Sequence, residues 1–241
     1  MRPKARRSIL NEKGSMSIVT LFTLSVVIIG SVFLFYFFTV FIEKRQAQNI
    51  ADASSLAAAQ VLRDKFEEAM KKKAEETLDR FLNREIPTEY ALLAETPLPD
   101  YEEFKKQYIE EKIGTVELAS RLIHGSFIHD DDWLLIVKEP YFRGEYTAEK
   151  NGETLYDAFV RNAAVIGDAA KRVIELNHGK AEGKITFPDE GKPKLKMEAV
   201  RIIEIDNIGL KRELAAVAAA GIGSKAFDID VRGKTPRTIQ W

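Results

Sequence analysis

The side chains best equipped for chemistry gather at His124, His129 and the run Asp130-Asp131-Asp132. Imidazole and carboxylate groups are what a divalent cation or an acid–base pair would require. Three consecutive carboxylates point in different directions, however, and the spacing fits no ligand code. The segment reads as a solvated loop leading into the apolar run at Trp133, and no metal is expected there. His178 stands near a predicted helix C-terminus, where its charge suits the dipole. Gly221-Ile222-Gly223-Ser224-Lys225 has the glycines of a phosphate loop, but it follows a predicted helix instead of preceding one. It reads as a helix stop and turn. Neither Gly-x-Ser-x-Gly nor His-Glu-x-x-His occurs. With no nucleophile–base constellation, the expectation is no catalytic residue, no cofactor and no enzyme.

A second kind of chemistry is helix pairing. Lys44 to Ala59 reads KRQAQNIADASSLAAA. Small residues at helical spacing let two helices approach closely. Asn49 and Asp52 are three apart and Gln48 and Asp52 four apart, so these polar groups share one helix face. Alanine is also the best helix former, so the same stretch would serve as a plain stem.

This stretch follows an uncharged, mostly apolar run, Ser15 to Ile42, of about 28 residues. About 20 suffice to cross a bilayer, and a span must be helical to satisfy its own backbone. A signal peptide would have an apolar core of about 7–15 residues and a small-residue cleavage site; this run ends in Phe41-Ile42-Glu43-Lys44-Arg45. The expectation is a retained anchor. Arg2, Lys4, Arg6, Arg7 and Lys13 precede it against the single acid Glu12. That asymmetry places residues 1–14 in the cytoplasm as a short basic tail, and everything from Glu43 outside the cell membrane.

The 36 basic and 37 acidic residues nearly cancel, and no basic excess outside the tail points to nucleic acid. Cysteine is absent, which excludes disulfides and thiolate metal sites.

From Glu43 to Arg84 there is neither proline nor glycine, and apolar or small residues recur every three to four positions from Ala47 to Leu82. The spacing predicts a helical stem over residues 43–84, continuous with the span. Such a rod would be about 105 Å long, ended by Pro87. Residues 85–241 form the head. Asp100 with Glu103 predicts a capped helix through Lys112, and another covers Val116–Ile123. Trp133–Val137 reads as a buried strand with Tyr141–Thr147 as its partner. A long helix is predicted for Thr154–Asn177, its stripe including Leu155, Phe159, Ile166 and Ile174, with Gly179 as C-cap. Strands follow at Lys184–Phe187 and Lys194–Ile205, then a helix at Ile208–Ala220 and a last strand at Ala226–Val231. The class is α+β: a transmembrane helix, a helical stem, and a small antiparallel sheet with packed helices.

The order of residues around the stem motif resembles the signature of TadE/TadG-like pilus-assembly proteins of the tight-adherence (Flp-type) system. Lys13-Gly14, the apolar helix, then Gln48-Asn49, Ala51-Asp52-Ala53 and Leu56-Ala57 fall in that order. The resemblance covers about residues 13–60. It implies a pilin-like head and a non-enzymatic pilus or secretion component, working through Gln48, Asn49, Ala51, Asp52, Ala53, Leu56 and Ala57 as a helix-pairing motif. The implied partners are other pilin-like or Tad assembly proteins, or a second copy of the chain. Gly14-Ser15 occupies the place of a pilin processing site. The fifth residue after it is Val19, where many such pilins carry glutamate, and the span holds no glutamate. This favours the TadG-like branch, whose anchors stay in the membrane. The alternative is an anchored extracellular binding or sensor module unconnected with pili.

Overall fold

A computed structural model describes residues 12–93, 99–125, 132–178, 182–205 and 210–241. Most of the basic tail, together with His129, Asp130, Asp131 and Gly179, lies outside these residues.

Helix α1 covers Glu12–Arg80. The chain divides into two compact units, Met1–Gln46 and Ala47–Trp241. In the first, the helix from Met16 onward is long and apolar enough to cross a membrane. It is apolar all round and its large side chains are exposed, a pattern that suits lipid and not water. Five of its hydroxyls are satisfied within the helix: Thr20, Thr23, Ser25, Ser31 and Thr39 each donate to the carbonyl four residues earlier at 2.8–2.9 Å.

The second unit begins with the remaining turns of α1. Its buried stripe, including Ile50, Leu62, Phe66, Met70 and Ala74, belongs to the core shared with the head. A π-helical turn, Phe81–Glu85, follows α1 and leads into α2, Ile86–Ala91. Pro87 therefore does not end the helical path. It lies in the first turn of α2, where a missing N–H costs nothing. Helix α3, Tyr101–Lys112, starts as expected, with the Asp100 carboxylate accepting from the N–H of Glu102 and Glu103. Helix α4, Val116–His124, also matches its expectation and buries Leu118, Ala119 and Leu122.

The expected strand at Trp133–Val137 is a helix, α5, Trp133–Lys138. One helical turn turns Ile136 and Val137 into the core beside half-buried Trp133, an i, i+3, i+4 set that five apolar residues satisfy as well as a strand would. Its expected partner is a 3₁₀ helix, Pro140–Glu145. The single helix expected from Thr154 is two, α6 (Ala148–Arg161) and α7 (Ala163–Leu176). The break falls at Asn162, whose side-chain amide and own backbone N–H both donate to the Ala158 carbonyl, at 2.8 and 3.1 Å.

The sheet has the order β3-β2-β1-β4, with β1 Gly183–Phe187, β2 Lys194–Ile205, β3 Leu210–Gly221 and β4 Arg237–Gln240. All three pairings are antiparallel. Ile185, Met197 and Ala218 lie in register across the buried face, while Lys184, Lys196, Glu198 and Thr186 occupy the open one. The helix expected at Ile208–Ala220 is thus β3. Alanine's helical preference amounts to tenths of a kcal/mol per residue, and twelve cross-strand partners on β2 override it. The strand expected at Ala226–Val231 does not form. Its backbone is bonded instead to α6: Asp230 N–H donates to Ala148 O at 2.8 Å, and Asn151 donates to Asp228 O at 3.0 Å. Gly152 permits this approach, since a Cβ there would fall 1.7 Å from the Asp230 carbonyl oxygen.

Candidate helix-pairing surface

The predicted motif lies on the first turns of α1 in the second unit, and the helix divides it into two faces. Ala51 is fully buried, along with Ser54, Ser55 and Ala58, against the chain's own head. The Ser54 hydroxyl donates to Ile50 O and the Ser55 hydroxyl to Asp52 O at 2.8 Å, so neither buried hydroxyl is left without an acceptor. Small side chains at these positions let the head close on the helix. Asn49, Asp52, Ala53 and Leu56 are on the outward side, and Leu56 is 64 % exposed. Ala57 is half-buried at the boundary.

Gln48 ties the two faces together. Its side-chain amide donates to Asp52 Oδ1 at 3.1 Å, as the i, i+4 spacing predicts, and to the Val217 carbonyl of β3 at 3.0 Å. One amide group thereby orients the Asp52 carboxylate and pins strand β3 to the stem. The outward face that results is a short apolar step, Ala53 and Leu56, flanked by the amide of Asn49 and the carboxylate of Asp52. It offers apolar area with a hydrogen-bonding margin, which is what a second helix needs for close approach and registration.

Farther along the stem, polar side chains hold the head's helices. Tyr146 donates to Thr77 Oγ1 at 3.0 Å, and its ring receives Lys73 Nζ at 5.3 Å from the centroid. Burial pushes the Tyr146 hydroxyl up from its ordinary value and Lys73 down. Glu85, on the π-helical turn, accepts from Tyr108 at 3.2 Å and from Tyr141. Both phenols are held above their usual range, by burial first and by the Glu85 charge. Glu139 is buried and accepts from the N–H groups of Gly114 and Thr115 at 2.9 and 3.1 Å, just ahead of α4. These contacts are structural, and the sequence reading did not identify them. Their only local signals were isolated acids and tyrosines, whose partners lie more than twenty residues away.

Among the described residues, the other candidates do not come together. His124 is exposed, with Nδ1 2.7 Å from Ser120 O, while Asp132 is buried and paired with Arg121. Among the described residues no three His, Asp or Glu side chains are grouped to hold a metal. His178 is exposed. Gly221-Ile222-Gly223 follows a strand and not a helix, and Ser224 Oγ accepts from the Ala226 N–H at 3.0 Å, closing a turn. The glycines there neither precede a helix nor form a phosphate cradle.

Comparisons with curated proteins and with solved structures return no match. The stretch from Gly14 through the span, the divided motif and Val61 is different: residues 14–61 match the family model Tad, described as putative Flp pilus-assembly TadE/G-like.

Proposed function

We propose that this chain is a membrane-anchored, non-enzymatic component of a Tad/Flp-type pilus or a related secretion apparatus, and that it works by helix–helix assembly. The family match over residues 14–61 supports a pilus-related role. The observation that carries the finer reading is the division of the motif. Its small buried residues serve the chain's own head, while Asn49, Asp52, Ala53 and Leu56 remain presented on a rigid helix. A solvated stem would need neither Leu56 nor a bound Asp52 on its open side.

The helix from Ser15 to Ile42 anchors the protein in the cell membrane, with the basic tail in the cytoplasm and the head outside. The partner is the corresponding helix of another pilin-like or Tad assembly protein, or of a second copy. The Leu56→Asp substitution in the native host tests this reading. Leu56 is exposed, so the head folds and the protein inserts as before. The expected result is loss of surface fibres or of secretion through the apparatus. Normal assembly by a stably inserted Leu56→Asp protein contradicts it.

A further inference from the structure

On the stem, Asn49, Leu56 and Arg63 stand seven residues apart, with Glu67 one turn beyond, and all four are exposed. Seven residues return a helix to nearly the same face. The outward face that carries Leu56 therefore continues to Arg63, about 10.5 Å farther along at 1.5 Å per residue. There it borders a recess of about 260 Å³, lined by the stem, by α5 and by the turn after β3.

Three aromatic rings line this recess. Phe227 stands 5.9 Å from Phe66 and 6.1 Å from Trp133, centroid to centroid, both edge-on. Phe66 is buried, whereas Trp133 and Phe227 are only half-buried. The polar groups on the stem side are occupied with each other, since Arg63 Nε donates to Glu67 Oε1 at 3.1 Å. Lys225 also lines the recess and has no ion-pair partner among the described residues. Pockets that take whole small molecules run to about 300–1,000 Å³. A recess below that range suits one large side chain, as an interface anchor does. Water in it faces rings that offer it no hydrogen bond, so an apolar side chain displaces it favourably.

We infer that the recess receives one large apolar side chain from the helix that pairs with the stem, about seven residues from the position that meets Leu56. This rests on the outward stem face being a pairing surface, as proposed above. The recess also narrows the partner. A second copy aligned in parallel, Leu56 against Leu56, brings Arg63 to this place, a cation already paired with Glu67. It has nothing better to insert, because Leu56 is the only large exposed hydrophobic residue of the stem between Ala47 and Arg80. The occupant is therefore the helix of a different chain, with a leucine-sized or aromatic residue one heptad from its Leu56 contact and an acid beside it to meet Lys225. Two contacts on one helix face fix a register that a single contact leaves free to slide.

Gly223 lines the recess, and a Cβ there meets nothing within 4 Å, so this position can carry a probe or a plug. The chain has no native cysteine. Full-length Gly223→Cys and Ala53→Cys are expressed in the native host, and labelling by a water-soluble maleimide is timed in membranes and on the purified chain in detergent. Both cysteines are expected to label several-fold more slowly in membranes where the apparatus is assembled. Gly223→Phe, which fills the recess, should abolish assembly with an unchanged unfolding midpoint, whereas Gly144→Phe, placed where a Cβ also meets nothing within 4 Å, should assemble normally. Slow labelling at Ala53 with unchanged labelling at Gly223, or normal assembly by Gly223→Phe, overturns the recess contact and leaves stem pairing standing. Slow labelling of Gly223→Cys that persists in the purified chain also overturns it, in favour of a bound small molecule. A disulfide between co-expressed Gly223→Cys and Leu56→Cys copies overturns the choice of a different chain, in favour of a staggered second copy. Fast labelling at both positions overturns the recess contact and stem pairing together.

Discussion

The side-chain amide of Gln48 donates to the backbone carbonyl of Val217, 169 positions away, and to the carboxylate of Asp52 in the next turn of its own helix. A residue that belongs to the stem motif by sequence is therefore also the clip that holds the edge strand β3. Part of the motif thus serves the folding of the chain's own head.

Gln48→Ala should remove that clip without opening a cavity in the core. A net loss of about 0.5–1.5 kcal/mol is expected for one hydrogen bond. Hydrogen exchange should rise along β3 around Val217 and stay unchanged in α3 and α4. Unchanged exchange in β3 would remove Gln48 from its structural role.

Ala51 and Ala53 are two residues apart and should respond in opposite ways. Ala51→Leu places a large side chain in a fully buried site and should cost about 1–3 kcal/mol of stability in thermal unfolding. Ala53→Leu lies on the exposed face and should leave the unfolding midpoint within about 0.5 kcal/mol of wild type. Equal effects would mean that the two faces are not distinct.

Gly152→Ala should be among the most damaging small substitutions in the head, because the added methyl meets the Asp230 carbonyl oxygen and carbon at 1.7 and 2.4 Å. Backbone on both sides must move, so a loss of about 1–3 kcal/mol or more is expected. Gly144→Ala, with nothing within 4 Å, is the control and should be nearly neutral.

Stability should fall on the alkaline side. Tyr108, Tyr141 and Tyr146 all titrate above the ordinary phenol value because burial disfavours the phenolate. The folded state then holds these protons more tightly than the unfolded chain. Their contribution is fully present below about pH 10, the unfolded value, and is lost as pH rises through the folded values. Tyr146→Phe should flatten the alkaline slope of unfolding free energy. An unchanged slope would show that Tyr146 does not contribute to it.

Much of the architecture was legible in the residues. The apolar run, the proline-free stem, the Asp100 cap and strands β1 and β2 each carried a local signal, and the fold is α+β as those signals implied. The Ser15–Ile42 run and the motif order were sufficient to anticipate the family match. Strand β3 was illegible for a physical reason. Ala215 to Ala220 alternate between exposed and buried positions, but five of the six are alanine, so the two-residue period leaves no mark in hydrophobicity. Its partner on β2, not its propensity, decides its state. Trp133–Val137 was ambiguous because five apolar residues suit either a strand or one helical turn. The division of the motif between its two faces was equally hidden. Ala51 and Ala53 are the same residue, and only the head packing on one side of α1 distinguishes them.

The account stands or falls on whether the outward stem face meets another helix. Single cysteines introduced as Ala53→Cys and Leu56→Cys, and as Ala51→Cys for an inward control, can be oxidised in native membranes and the products resolved by mass. Disulfide-linked species of twice the chain's mass, or mixed disulfides with a second cysteine-bearing Tad-type component, are expected at Ala53 and Leu56 and not at Ala51. Monomer alone at both outward positions, in membranes where the apparatus is assembled, would contradict it.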